Sequence, residues 1–307
     1  MKVNNAQRFL SIGTVGIGIA LGAVSSWAQT AQSAPAAAPA AQAKTISPEA
    51  AAALEKARKA AQNPLASMIS LPLQENWNFG VGAADRIQNV NNIQPVIPVS
   101  LGAKLNLITR FVTPIIYQPY AVPVPQASGP PVLVQTGAYG LGDMQPQFFF
   151  SPKNSGGISW GVGPIFLVPT ATQTKYLGQG KFGIGPDIVV LAQPRTGTIG
   201  VLVNNFWSVA GHKDKPDVNQ MLLQPFINYN LHHAWYLSFN PNITANWEQE
   251  HGGRWVVPLG GGPGRVWRLG HQAVNIQSFF YGNAVHPKGA SSWTFKMAFT
   301  LLFPKPR

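Results

Sequence analysis

A chain of 307 residues with a formal charge of +12, yet only 10% charged side chains, carries a sparse basic excess scattered among turns and strands. Nucleic-acid binding, which gathers Lys and Arg on one face, is not expected; a cationic surface facing anionic lipopolysaccharide, or a lumen favouring anionic solutes, is the simpler use of the charge. The absence of cysteine excludes disulfides, thiolate chemistry, Cys-based zinc or iron–sulfur sites and anchoring through a lipidated N-terminal Cys.

The chain opens on Lys2 and Arg8, followed by an uncharged run from Phe9 to Val24 and then Ser26-Trp27-Ala28. This is the layout of a secretory signal peptide over residues 1–28, with cleavage expected after Ala28 and a charge of about +10 thereafter. The run is broken by Gly13, Gly16, Gly18 and Gly22 and is short for a helical span of about 20 residues. Gln29 to Ala43 is almost purely Ala, Pro, Gln and Ser, a composition that cannot bury a core and predicts a mobile periplasmic segment. Ser47-Pro48-Glu49 then starts a helix to about Ala61, with Ser as cap, Pro at the first helical position and Asn63-Pro64 as the stop. Residues 29–62 thus read as a flexible segment with a short helix that rests at the mouth of the main domain, enters it, or stays a solvated spacer; residues 63–307 are the main domain.

No later apolar run is long enough for a transmembrane helix, so a membrane-spanning form of this chain must use closed strands. Alternation predicts strands over about 75–84, 90–99, 104–117, 141–151, 157–170, 181–193, 198–209, 219–230, 235–247, 255–262, 272–283 and 292–303. Connections after even-numbered strands are mostly tight, around Gly102, Asn154-Ser155-Gly156, Arg195-Thr196-Gly197 and His232-His233, although the fifth, near Arg265 to His271, is longer. Several after odd-numbered strands are long, notably Gln118 to Gly140. Twelve strands with short turns on one rim and long loops on the other predict an all-β fold, a transmembrane antiparallel up-and-down β-barrel with both termini in the periplasm.

The last strand is the clearest, with Trp293, Phe295, Met297, Phe299, Leu301 and Phe303 on one face and Thr294, Lys296, Ala298 and Thr300 on the other. In the strand from Trp235 to Trp247, Ser238, Asn240, Asn242, Thr244 and Asn246 share a face. Repeated amides would be costly in a dry core, and a water-filled interior removes that cost. The outward phase puts Trp160, Tyr229, Trp235 and Phe303 at the periplasmic rim and Tyr117, Trp207, Trp247 and Trp293 at the outer one, two girdles at headgroup level. A soluble β-sandwich or propeller would scatter its aromatics through a core. Pro95, Pro114, Pro146, Pro164, Pro186, Pro225 and Pro258 lie inside predicted strands and are expected to mark bulges or shortened pairing, since proline cannot donate to a ladder. Gly260-Gly261-Gly262-Pro263-Gly264 lacks the Lys-Ser/Thr of a phosphate loop and reads as a bend or strand end.

Asn63-Pro64-Leu65-Ala66, Ile69-Ser70-Leu71-Pro72, Trp77-Asn78-Phe79-Gly80, Ile93-Gln94-Pro95-Val96-Ile97-Pro98, Gly140-Leu141-Gly142-Asp143, Phe150-Ser151-Pro152-Lys153, Trp160-Gly161-Val162-Gly163-Pro164 and Val168-Pro169-Thr170-Ala171-Thr172 occur in this order. From Asn63 to Pro304 the chain resembles a family of bacterial outer-membrane β-barrels often labelled, misleadingly, neuromedin U, and related to the phenol meta-degradation pathway family of outer-membrane transporters. The resemblance implies an outer-membrane barrel with a transport function, and it supplies no catalytic residues. The tail Pro304-Lys305-Pro306-Arg307 after Phe303 departs from the usual aromatic end of barrels read by the assembly machinery.

The expected function is a passive channel for small solutes, anionic or aromatic, with a narrow polar lumen of net positive charge. Lys104 and Arg110 share a face of the third strand, Asp187 is inward on the sixth and Lys296 inward on the last; Gln224, Asn228, Asn240 and Asn242 complete the lumen. The long loop or the N-terminal segment could plug it. A lipid-modifying enzyme and a structural or adhesive barrel are the alternatives. His251 or His286 with Ser291 and Glu250 could form an outer-loop catalytic group, but no nucleophile-elbow motif accompanies them. Asp214, Asp217, Glu248 and Glu250 read as solvated loop charges, so no metal or cofactor is expected. Outer-membrane lipids, lipopolysaccharide, a small-molecule solute and the assembly machinery are the expected partners.

Overall fold

The computed structural model describes residues 47–154, 156–270 and 272–303. The expected signal peptide, the Ala/Pro/Gln-rich segment, His271 and the tail after Phe303 lie outside the described residues. Helix α1 spans Pro48–Ala61; the Ser47 hydroxyl accepts from the Ala50 amide at 3.2 Å and Pro48 opens the first turn, as the cap pattern predicts.

Twelve strands follow. They are β1 (Ile69–Val81), β2 (Arg86–Ile93 and Val96–Leu101), β3 (Leu105–Val124), β4 (Val132–Leu141 and Gln145–Pro152), β5 (Ile158–Leu167), β6 (Lys181–Ala192), β7 (Gly197–Gly211), β8 (Asn219–Asn230), β9 (Trp235–Phe239 and Ile243–Asn246), β10 (Trp255–Leu269), β11 (Gln272–Val285) and β12 (Trp293–Phe303). A short helix, α2 (Thr174–Leu177), lies between β5 and β6. Each strand pairs antiparallel with its sequence neighbours, and β12 returns to β1 with Phe303 opposite Ile69 and Trp293 opposite Phe79. The sheet is a closed barrel, leaving no free edge in the membrane, where an unpaired backbone group would cost several kcal/mol.

Alternation sorts the faces as predicted. On β12, Lys296, Ala298, Thr300 and Leu302 are buried inside, whereas Trp293, Met297 and Phe303 are exposed outside. Trp160, Tyr229, Trp235 and Trp207 are exposed too, and the outward rings of Phe79 and Trp293 stack across the closing seam at 3.7 Å. Trp247 lies just past β9, its indole donating to Asn205 at 2.9 Å.

Three regions differ from the sequence reading. Gln118 to Gly140 is not a long loop: β3 and β4 continue through it as a paired ribbon, from Ile115 opposite Leu141 to Val124 opposite Val132. Because β3 runs for 20 residues and a span needs about 9–11, this hairpin projects beyond the outer rim and does not plug the bore. The glycine run is not a strand end, for β10 carries on to Leu269 and its connection to β11 is short. There Tyr236 lies flat on the backbone, so that a Cβ at Gly264 would sit 2.3 Å from its ring. Finally β9 breaks at Asn240-Pro241-Asn242 without losing register against β8. Proline also interrupts β2 at Pro95 and marks a register shift at Pro258. Pro164 and Pro186 are register partners, which confines both missing N–H groups to one place on the β5–β6 seam.

Inside the periplasmic half the bore is filled. Leu65, just after α1, is buried among Val96, Ile108, Phe149, Val189, Leu191, Leu202 and Phe226. Ala57 of α1 packs on Tyr236, Val266 and Leu302, joined by Leu54, Ala61 and Met68. The helix therefore enters the barrel and is not a solvated spacer. Burial of a leucine side chain is worth roughly 1.5–3 kcal/mol, and polar contacts add direction. Gln62 donates to Asn230 at 3.0 Å and accepts from Thr198 at 2.9 Å, Asn63 donates to Gln193 at 3.2 Å, and Gln193 donates to the Lys59 carbonyl at 2.9 Å.

Candidate functional site: the bore

The inward phase of twelve strands leaves two cavities above and within this plug. The outer one, about 770 Å³, is lined by amides including Gln88, Asn92, Gln145, Asn204, Gln220 and Asn242. The inner one, about 170 Å³, lies against Gln62, Asn63 and Met68 of the plug and against Arg110, Gln224, Asn228 and Asn240 of the wall. Neutral amides dominate because each can face water as donor or acceptor without the desolvation cost of a charge.

Three charged side chains take the inward phase: Arg110, which lines the inner cavity, and Asp187 and Lys296, which are buried. Asp187 on β6 is fully buried and receives the Asn204 amide at 3.4 Å. Arg110 on β3 donates to Gln94 at 2.5 Å. Lys296 on β12 reaches the Asn240 carbonyl at 3.4 Å and stands over the Phe279 ring at 4.4 Å and over Tyr281 at 5.1 Å.

Of the residues expected in the lumen, Arg110, Gln224, Asn228 and Asn240 line the inner cavity and Asn242 the outer one, with Gln224 donating to Asn242 at 2.9 Å, whereas Asp187 and Lys296 are buried and line neither cavity. Lys104 does not join them. It has the right parity, but β3 begins at Leu105, so Lys104 sits exposed in the periplasmic turn, where its carbonyl accepts from the Lys153 amide at 2.9 Å. Alternation assigns a face only within the paired ladder.

Sequence reasoning missed a lock at the outer mouth. The segment 168–180, carrying α2, folds over the opening, and Tyr176, Leu177 and Gln179 line the outer cavity. The carboxylate of Asp143, which is 7% exposed, accepts from the Ala171 amide at 3.1 Å and the Gln179 amide at 2.5 Å. Thr170 accepts from the Met144 amide and donates to the Gly142 carbonyl, both at 2.9 Å. A Cβ at Gly178 would come 2.7 Å from Asp143 Oδ1. Two sequence motifs, Gly140-Leu141-Gly142-Asp143 and Val168-Pro169-Thr170-Ala171-Thr172, thus hold each other, and their joint presence was the available signal. On the neighbouring loop, Lys181 bonds Asp217 at 3.0 Å and holds its carboxyl below the ordinary 3.8.

The outer-rim histidines and Ser291 do not meet as nucleophile and base. His286 Nδ1 is 3.0 Å from the Pro287 carbonyl, and the Ser291 hydroxyl donates to the Trp293 carbonyl at 2.8 Å. Among the described residues no three His, Asp or Glu side chains converge as metal ligands.

No protein-family model matches the chain, and no curated protein sequence does so. Among solved structures, an outer-membrane channel from Pseudomonas putida F1 aligns over 77% of this chain and 94% of its own, with a TM-score of 0.54 at 9% identity. The NanC porin aligns over 76% and 99%, with a TM-score of 0.47 at 7% identity. The first likeness is one of fold. Together with the closed barrel, its apolar outer face and its aromatic rims, it places the chain as a β-barrel of the bacterial outer membrane.

Proposed function

We propose that the chain is a passive outer-membrane channel for small solutes, closed at rest by its own N-terminal helix. The observation that carries this reading is the bore itself, an outer and an inner cavity lined largely by amides, with α1 and Leu65 filling the periplasmic end. A barrel serving only as a scaffold would gain stability by filling that space with apolar side chains. With Lys104 at the turn, Arg110 and Lys296 against Asp187 leave the described bore modestly cationic, so a preference for anions among simple ions is expected. The resemblance to the neuromedin U-labelled and phenol meta-degradation barrels agrees with transport. Outer-leaflet lipid and lipopolysaccharide against the exposed apolar belt, and the assembly machinery during insertion, complete the proposed partners.

The test is single-channel recording of the full chain in a planar bilayer. Discrete steps that favour anions, and that become more frequent when Gln62 or Asn63 is replaced by alanine, support the reading. A folded, inserted barrel that stays silent in wild type and in both variants overturns it.

A further inference from the structure

The outer cavity is built from two unlike walls. On β2 and β3 the inward positions Val90, Val112, Pro114 and Ile116 form one apolar patch, for Val90 is the register partner of Ile116, and Val112 and Pro114 follow in the same phase. Six strands further round, where a closed barrel of twelve comes to face its start, β8 and β9 present Gln220 beside Asn246 and Leu222 beside Thr244, with Asn242 at the break in β9. Amides also border the patch itself: Gln88 donates to Gln118 past one end, and Gln145 is the register partner of Val112 at the other. Only Asp143 and Arg254 among the lining residues carry charge, and both are already engaged. Asp143 accepts from the amides of Ala171 and Gln179, while Arg254 donates to the Gln249 carbonyl at 3.3 Å with its guanidinium 5.4 Å from the Trp247 ring. Tyr176, stacked on Tyr120 at 4.0 Å, adds an aromatic ring to the lining.

We propose that this cavity is a binding site for neutral polyhydroxylated solutes of the monosaccharide class, whose C–H face lies on the patch around Val90 and Ile116 and whose hydroxyls turn to the amides of β8 and β9. A hydroxyl both donates and accepts, as an amide side chain does, so the two pair in either sense and leave no charge over. A pyranose ring is apolar on its faces and polar round its edge, which suits a dry wall opposite a wet one. A carboxylate or an ammonium entering the same space loses hydration and meets counter-charges that are already committed. The volume of about 770 Å³ lies within the roughly 300–1,000 Å³ of small-molecule sites. Passage onward rests on the channel reading, whereas binding does not.

The experiment is saturation-transfer NMR of the full-length protein in micelles of a sugar-free zwitterionic detergent at mildly acidic pH, with glucose, glucuronate and glucosamine as neutral, anionic and cationic forms of one ring. Glucose is expected to bind about fivefold more tightly than either charged form, with saturation strongest on its ring C–H protons. Gln220→Leu and Asn242→Leu should each weaken glucose about fivefold, as the loss of one amide contact implies, and Lys104→Gln, outside the cavity, should change nothing. No glucose binding, or binding of the charged forms as tight as that of glucose, overturns the inference in the wild-type protein and needs no variant; so does a glucose affinity unchanged by both leucine variants in barrels that keep their folded electrophoretic mobility. Glucose binding without bilayer conductance would support the site while sinking the channel. Conductance without glucose preference would do the opposite.

Discussion

The two halves of the bore obey one alternation rule and reach opposite ends. In the periplasmic half the inward positions are Ile108, Phe149, Val189, Leu191, Leu202, Phe226, Val266 and Leu302, all buried, and they close around Leu65 and α1. In the outer half the same phase brings Gln88, Asn92, Gln145, Gln220, Asn242 and Asn246 to a cavity of about 770 Å³. A strand lines water where nothing packs against it and lines a dry core where another segment does. The polarity of a barrel interior therefore records what fills it, level by level.

That contrast can be broken most forcefully at the plug. Leu65→Ala should weaken the closed state by about 2 kcal/mol or more, raising the open probability roughly thirtyfold in single-channel records, while the barrel keeps its folded mobility on gels. An unchanged open probability would mean that the dry half does not gate the wet one. Next in size is the lock at the outer mouth. Asp143→Ala removes two charge-assisted bonds, and a loss of about 1.5 kcal/mol should release the 168–180 segment roughly tenfold more often, seen as added conductance noise and faster hydrogen exchange at Gln179. A quiet channel with unchanged exchange would refute the lock.

The charges between the halves come third. At about 5 Å in water-like dielectric a unit charge contributes roughly 0.8 kcal/mol, so Arg110→Gln and Lys296→Met should each lower the anion permeability about fourfold. Lys104→Gln, in the exposed turn, should leave it unchanged, and a matching drop there would place selectivity at the rim. The smallest effect is a matter of pH at the outer loops. Asp217 is held below its ordinary 3.8 by Lys181, so its tie to β6 is present above that value and lost as the pH falls through its lowered one. Hydrogen exchange at Val218, whose amide donates to Ser208 at 3.0 Å, should quicken on acidification in the wild-type protein and already be fast at neutral pH in Lys181→Gln.

Much of this was legible. Twelve strands, the closing strand with Lys296 inward, the aromatic rims and the helix from Ser47 follow from local alternation and capping, which tertiary contacts reinforced. A second signal was legible and went unread. Phe148-Phe149-Phe150, Ile188-Val189-Val190-Leu191 and Val201-Leu202-Val203 are apolar on both faces, the pattern of a strand buried on both sides, and it marks where the plug must sit. The position of Lys104 was misread because parity extends only as far as the pairing. The break at Pro241 hid within a run whose outward side chains alternate faultlessly.

By itself the sequence determines which side chains share a face, since that depends on a backbone period of two and on nothing distant. It also determines the address, because lipid demands a closed ladder with an apolar exterior. Tertiary structure alone decided that Leu65 enters the bore, that Asp143 meets the amides of Ala171 and Gln179, and that Arg110, Gln224 and Asn240, on strands far apart in the chain, line one cavity. Those meetings depend on strand tilt and register accumulated around the whole barrel, quantities that no single strand encodes.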